Sequence, residues 1–338
     1  MANIVFMWTQ DHVPVHKLRM ILPKDYPIEL FKPGQTYSDD TVFYHDMYGG
    51  FHDHIPAQLA QGHKIVFDAK NEHYVHSHFL WVLYKFLQHP GQGCFIISGD
   101  APDPLPGVEI IATPYWYWIM DQFNFRETAL DQQQRNFQIT HKFFMSISLQ
   151  RPERDYLYDA LGELCSQSIH SYRARGVELP SDRMDLPLWQ RYVNPIWIDS
   201  TAFTLAVETY IDPTATTGYS LTCNNHLFLC EKSYRPMAAQ HPILMAATQG
   251  NLAYLRSQGF ETFPELFDES YDDIPDWKDR VRNIVQQVRE FDVCAVDQPS
   301  VREKTRHNHA RFFDKSLTKD LAFCTIQRPL FKFVHAQP

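Results

Sequence analysis

The stretch LFLCEKSYRPMAAQHPILMAATQGNLAYLRSQGFETF, residues 227–263, decides how the chain is read. Its apolar runs, Leu227 to Cys230 and Ile243 to Ala246, predict buried strands, and each run is followed by a helical pattern. Glu231 and Lys232 stand where the first helix begins, and Gly250 stands in the turn before the second, about Asn251 to Gln258. Gly259 just beyond suits the left-handed residue after a helix C-terminus. Strands alternating with helices specify a parallel sheet with helices on its faces. Such sheets bind ligands at the C-terminal ends of their strands.

Outward from this stretch the alternation repeats. Upstream, Phe143 to Leu149 predicts a strand, Arg154 to Cys165 a helix and Thr204 to Val207 a strand. Downstream, Val281, Ile284, Val285, Val288 and Phe291 mark the buried face of a helix that Pro275 is placed to open. In the first third, strands are expected at Ile4 to Trp8, Ile28 to Phe31, Lys64 to Phe67, Cys94 to Ser98 and Val108 to Ala112, with a helix over His76 to Leu87. The polar run Asp131 to Asn136, with three consecutive glutamines, marks the boundary between two α/β units. The expected fold is therefore α/β, with two Rossmann-like domains, 1–135 and 136–300, facing across a cleft. A helical segment, 301–338, is expected to return toward the first domain.

Composition narrows the function. The 338 residues include 31 Lys+Arg against 40 Asp+Glu, a net charge of −9 that argues against a protein built to neutralise a phosphate backbone. Only 21% of residues are charged and 44% are hydrophobic, so packed cores are expected rather than disorder. The six cysteines stand singly, as reduced thiols do. The N-terminus has no signal-peptide pattern, and no apolar run approaches the ~18 residues of a membrane span, so a soluble cytoplasmic protein is expected. G-x-G-x-x-G after a strand, G-x-x-x-x-G-K-[ST], G-x-S-x-G and H-E-x-x-H are all absent, which removes the corresponding dehydrogenase, P-loop, hydrolase and zinc-protease readings.

Chemistry then centres on residues 231–235. A helix beginning at Glu231 presents free N–H groups and its positive dipole end, a natural seat for a diphosphate. Lys232 and Arg235 add full positive charge, and the Glu231 carboxylate can accept hydrogen bonds from ribose or sugar hydroxyls.

Several ordered motifs add a resemblance. They are Arg151, Pro152 and Arg154; Phe203 and Glu208; Glu231 and Lys232; Gly250, Leu252, Tyr254, Leu255, Arg256, Gly259, Phe260, Thr262 and Phe263; and Glu269 to Asp272. Together, over roughly residues 140–313, they resemble the donor-binding domain of fucosyltransferase-like glycosyltransferases of the two-Rossmann (GT-B) type. The similarity is greatest to uncharacterised relatives in large tailed bacteriophages and in bacteria. One departure is Cys230, where that family has Thr.

The resemblance implies a nucleotide-sugar-dependent transferase, inverting and metal-independent, using a GDP- or UDP-linked co-substrate and no other cofactor. It implies Arg151 or Arg154 together with Lys232 at the diphosphate, Glu231 at hydroxyls and Glu208 in donor positioning; Arg235 and Gly250 complete the expected donor-binding residues. If the chain is phage-encoded, its location is the host cytoplasm. The acceptor, a glycan, a protein or a hydroxylated nucleobase, stays open. An inverting reaction needs a general base from the other lobe. Asp68 and Glu72, which follow the strand ending at Phe67, are the expected catalytic carboxylates, ahead of Asp11, Asp46 and Asp53. No metal site is expected: His52, His54, His73, His76 and His78 read as loop histidines, and no D-x-D follows a strand. The aromatic run 115–120, YWYWIM, suits either stacking on sugars or core packing. Two rival readings remain. One is a noncatalytic nucleotide- or sugar-binding module. The other is a transferase acting on phage DNA bases, which would require a local basic, aromatic-lined groove.

Overall fold

The computed structural model describes residues 4–7, 28–32, 34–46, 51–69, 77–99, 105–113, 138–179, 195–212, 227–314, 316 and 323–336. These fall into two compact units, one holding the described residues up to 113 and from 316 onward, the other holding 138–314. The polar run 131–136 and the aromatic run 115–120 lie outside the described residues.

The first unit is a parallel sheet of β1 (Ile4–Met7), β2 (Ile28–Leu30), β3 (Val42–Asp46), β4 (Lys64–Ala69), β5 (Gly93–Ser98) and β6 (Val108–Thr113), in the order β2-β1-β3-β4-β5-β6. Its central strands read as unbroken apolar runs because they are buried on both faces. Helices α1 (Ile55–Ala60) and α2 (Ser77–Leu87) belong to this unit. Strand β3, VFYHD, was not expected, since it closes on His45 and Asp46. Both are nevertheless buried, at the C-terminal rim of the sheet.

The second unit is also a parallel sheet. Its strands β7 (His141–Ile147), β8 (Ser168–Tyr172), β9 (Thr201–Val207) and β10 (Ile243–Ala246) run in the order β10-β9-β7-β8. Both sheets begin inside and reverse direction between their first and third strands, β1/β3 and β7/β9. Ligands of doubly wound sheets bind at that reversal, beyond the strand C-termini. One face of the second sheet carries an aromatic cluster: Phe143 and Phe203 stack, and Phe203 meets Phe267 and Phe291 edge-on or tilted. Helix α4 (Pro195–Asp199) precedes β9, and helices α3 (Pro152–Leu161) and α7 (Trp277–Glu290) pack against each other, with Val281, Ile284, Val285 and Val288 of α7 buried as their spacing requires. Asp276, rather than Pro275, caps α7 by accepting from Asp279 N at 2.9 Å.

Three expectations are corrected. Leu227 to Cys230 forms no strand, and its end bonds to a side chain, as described below. The helix expected over 154–165 starts at Pro152, which is suited to a first helical position, and ends at Leu161 before a 3-10 turn. The tail divides: α8 (Pro299–Phe312) packs on α5 (Glu231–Ala238) inside the second unit, and only the chain from 316 onward joins the first. There α9 (Arg328–His335) is fastened by Lys64, whose ammonium donates to Phe333 O at 2.7 Å and also to Val334 O and Ala336 O, filling the open carbonyls of the helix end.

Candidate functional site

The C-terminal edge of the second sheet is stitched by two buried guanidiniums. Arg154, 2% exposed, donates from Nε and Nη2 to Glu208 O at 3.2 and 3.0 Å and from Nη1 to Leu149 O at 3.1 Å. It thus joins the loops after β7 and β9 across the reversal point. Arg280, 0% exposed, joins the next pair of loops, donating to Ala247 O at 3.0 Å, Ile211 O at 2.7 Å and Ile274 O. Burial lowers the pKa of both, and each remains a cation with all three of its nitrogens donating to backbone carbonyls. Arg154 is therefore a support for the edge rather than a group offered to a diphosphate. Arg151, beside it, occupies the residue before α3, and its guanidinium lies 5.0 Å from the centre of the Tyr210 ring, a cation–π contact.

Glu208 ends β9 and is 0% exposed. Its carboxylate accepts from Thr209 N at 3.1 Å, Cys230 N at 3.0 Å, the Cys230 thiol at 2.8 Å and the Ser233 hydroxyl at 2.5 Å. These donors come from the N-cap residue and the first turn of α5, so a protein carboxylate stands at the helix start, the seat that sequence alone offers to a diphosphate.

Beside that seat lies a recess of about 190 Å³, lined by Phe144, Ser146, Ser148, Ser171, Arg173, Leu179, Trp197, Glu231, Lys232 and Arg235. Its origin is a strand pattern. Ser146 pairs in register with Ser171, so both point to one face, and their hydroxyls lie 3.2 Å apart. Small polar side chains stand where a covered sheet face would carry Val or Ile, and the volume they leave open is the recess. Phe144, stacked on Trp197 at 5.7 Å, closes one wall. Helix α5 supplies the other, with Pro236 inside it removing one helical hydrogen bond.

Charge in the recess is predominantly positive. Glu231 Oε1 lies 3.7 Å from both Lys232 Nζ and Arg235 Nη2. Burial pushes the Glu231 carboxyl up, but Lys232, Arg235 and its own backbone N–H outweigh that and hold it down at about 2. Burial pulls the Lys232 ammonium down, yet Cys230, Glu231 and Glu208 raise it above its ordinary range. Cys230 itself is pushed well up by burial and then by Glu208 and Glu231, so it stays a thiol.

The remaining expected residues fall elsewhere. Gly250 sits in the left-handed region, φ +84°, as the residue before α6 (Asn251–Ser257), and its N–H donates to Asp272 O at 3.1 Å. Asp272 Oδ2 accepts from Leu252 N at 3.0 Å, so this helix start is also occupied by a protein carboxylate, and Gly250 supplies turn geometry. In the first unit, Asp68 is 2% exposed at the end of β4, with the Tyr44 hydroxyl donating to its Oδ2. Glu72 lies outside the described residues. Beside Asp68 on the same rim, His45 bonds Gln58 Oε1 at 2.8 Å through Nε2, and burial lowers its pKa to about 3.

Glu208, Glu231, Lys232 and Arg235 are thus brought together, with Arg154 behind them, while Gly250 caps a separate helix. Sequence reasoning missed Arg173 and the serines at 146, 148 and 171. The alternation of Ser146 and Ser148 in the strand run FFMSIS was the legible signal for the first two. No family model matches the chain, and no curated protein matches it in sequence. Among the described residues, no helix is long and apolar enough to cross a membrane.

Proposed function

We propose that the second unit binds a nucleotide-diphosphate sugar and that the chain is a glycosyltransferase delivering the sugar to a hydroxyl acceptor. The observation that carries this reading is the recess, where Arg173, Lys232, Arg235 and Glu231 line one space together with serine hydroxyls. Two or more cations with hydroxyl donors suit a diphosphate. A carboxylate held ionised can only accept, so Glu231 suits ribose or sugar hydroxyls. The recess is smaller than the ~300 Å³ at which pockets for whole ligands begin, so it takes the diphosphate or one ring rather than the entire donor.

In this reading, side-chain cations meet the charge of the departing diphosphate, the main electrostatic task of such a transfer. Arg151 flanks the donor at the reversal point, Glu208 and Arg154 hold the edge rigid, and no metal ion is assigned. The expected general base, Asp68, accepts from the Tyr44 hydroxyl within the first unit, and inversion at the anomeric carbon is the outcome of a single displacement. The fucosyltransferase-like motifs support the same reading. Titration calorimetry with a panel of GDP- and UDP-sugars tests it. At least one is expected to bind wild type and to bind Lys232→Ala about tenfold or more weakly, the loss of one charge-assisted contact. Absence of binding across the panel would refute the reading.

A further inference from the structure

The Lys232 ammonium is directed from the core, through sulfur. The Cys230 thiol donates to the buried Glu208 carboxylate at 2.8 Å, and its sulfur accepts from Lys232 Nζ at 3.2 Å and, more distantly, from the Thr209 hydroxyl at 4.0 Å. The Glu231 carboxylate, 3.7 Å from Nζ, lies beyond hydrogen-bond reach and is shared with Arg235, so it adds charge without fixing direction. Glu208 cannot swing away, because Thr209 N, Cys230 N and the Ser233 hydroxyl hold it as well.

We propose that Glu208 and Cys230 are positioning residues that aim Lys232 at the phosphate oxygens of the donor, with the thiol as the intermediate link. This rests on the reading of the recess as a diphosphate site. Sulfur is a weak acceptor. It keeps the ammonium in place without a strong bond that an arriving ligand must break, and a charged phosphate oxygen then takes over the proton donor. Pre-aimed in this way, Lys232 gives up less rotamer freedom on binding. Alanine at position 230 leaves Glu208 its backbone and serine donors but leaves Lys232 without a guide.

Calorimetry with GDP and UDP as probes, on wild type, Cys230→Ala, Cys230→Ser, Lys232→Ala and the 230/232 double alanine variant, tests the link. Cys230→Ala is expected to weaken binding about fivefold to tenfold, and Cys230→Ser to recover most of it. In the Lys232→Ala background, the alanine at 230 is expected to add less than about twofold, the non-additivity of residues acting as one unit. Equal binding by wild type and Cys230→Ala would overturn the proposal while leaving the diphosphate reading standing. An equal loss with and without Lys232 would also overturn it, because Cys230 would then act through stability alone. If wild type binds neither nucleotide, the reading of the recess falls, and the proposal falls with it.

Discussion

Helices α5 and α6 begin alike and serve differently. Helix α5 follows the irregular segment 227–230 and α6 follows strand β10, and each start already meets a carboxylate from another part of the chain, Glu208 for α5 and Asp272 for α6. The difference lies alongside. Next to α5 the sheet face carries serines, and Arg173, Lys232 and Arg235 converge on the space left open. Next to α6 the nearby guanidinium, Arg280, is buried and committed to three carbonyls. A helix dipole is common to both and therefore does not mark the site. In the proposed reading, missing side-chain volume lined by several cations does.

That contrast can be broken at several points. The largest effect is expected from Glu208→Gln. The four donors aimed at the carboxylate would meet an amide N–H₂ in place of one oxygen, and the balance with Arg154 would be lost, costing about 3 kcal/mol in urea unfolding. Ser171→Val comes next. It fills the recess from the sheet side and is expected to weaken nucleotide binding by about tenfold or more in calorimetry, with a melting temperature close to wild type. Gly250→Ala reverses the pattern. Forcing alanine to φ +84° should cost about 1–2 kcal/mol of stability, while nucleotide affinity per folded molecule stays unchanged.

The smallest effects are in titration, where the two helix starts carry opposite signs. Glu231 is depressed to about 2, so its contribution to stability is complete above its unfolded value near 4.3 and disappears as pH falls toward about 2. Asp272 is raised, chiefly by burial and despite the N–H groups of Leu252 and Ala253, so its ionisation disfavours the fold. Its contribution improves as pH falls through its folded pKa. Carboxyl NMR titration should show Asp272 protonating first and Glu231 last. The reverse order would contradict the electrostatic distinction between the two helix starts.

Much of this architecture was legible in the sequence. Apolar runs such as Lys64 to Phe67 and Cys94 to Ser98 fall within β4 and β5, because strands buried on both faces need continuous hydrophobicity. Strands β3 and β8 were not legible. VFYHD and SIHSY owe their places to pairing with neighbours, and Tyr44, His45, Ser171 and Tyr172 bond to Asp68, Gln58, Ser146 and Asp155, all distant in sequence. The Glu-Lys start of α5 was legible as a charged feature. Its capping by Glu208, 23 residues upstream of Glu231, was not, because only the tertiary fold brings β9 to that helix. For the same reason Arg154 reads as a phosphate ligand in sequence and as a support in space.

A crystal structure with bound GDP or UDP tests the central claim most directly. The account predicts phosphate oxygens within hydrogen-bond distance of Lys232 Nζ and of a serine hydroxyl at 146, 148 or 171, with α6 and Asp272 unchanged. Phosphates seated at Gly250 and the start of α6, displacing Asp272, would contradict it.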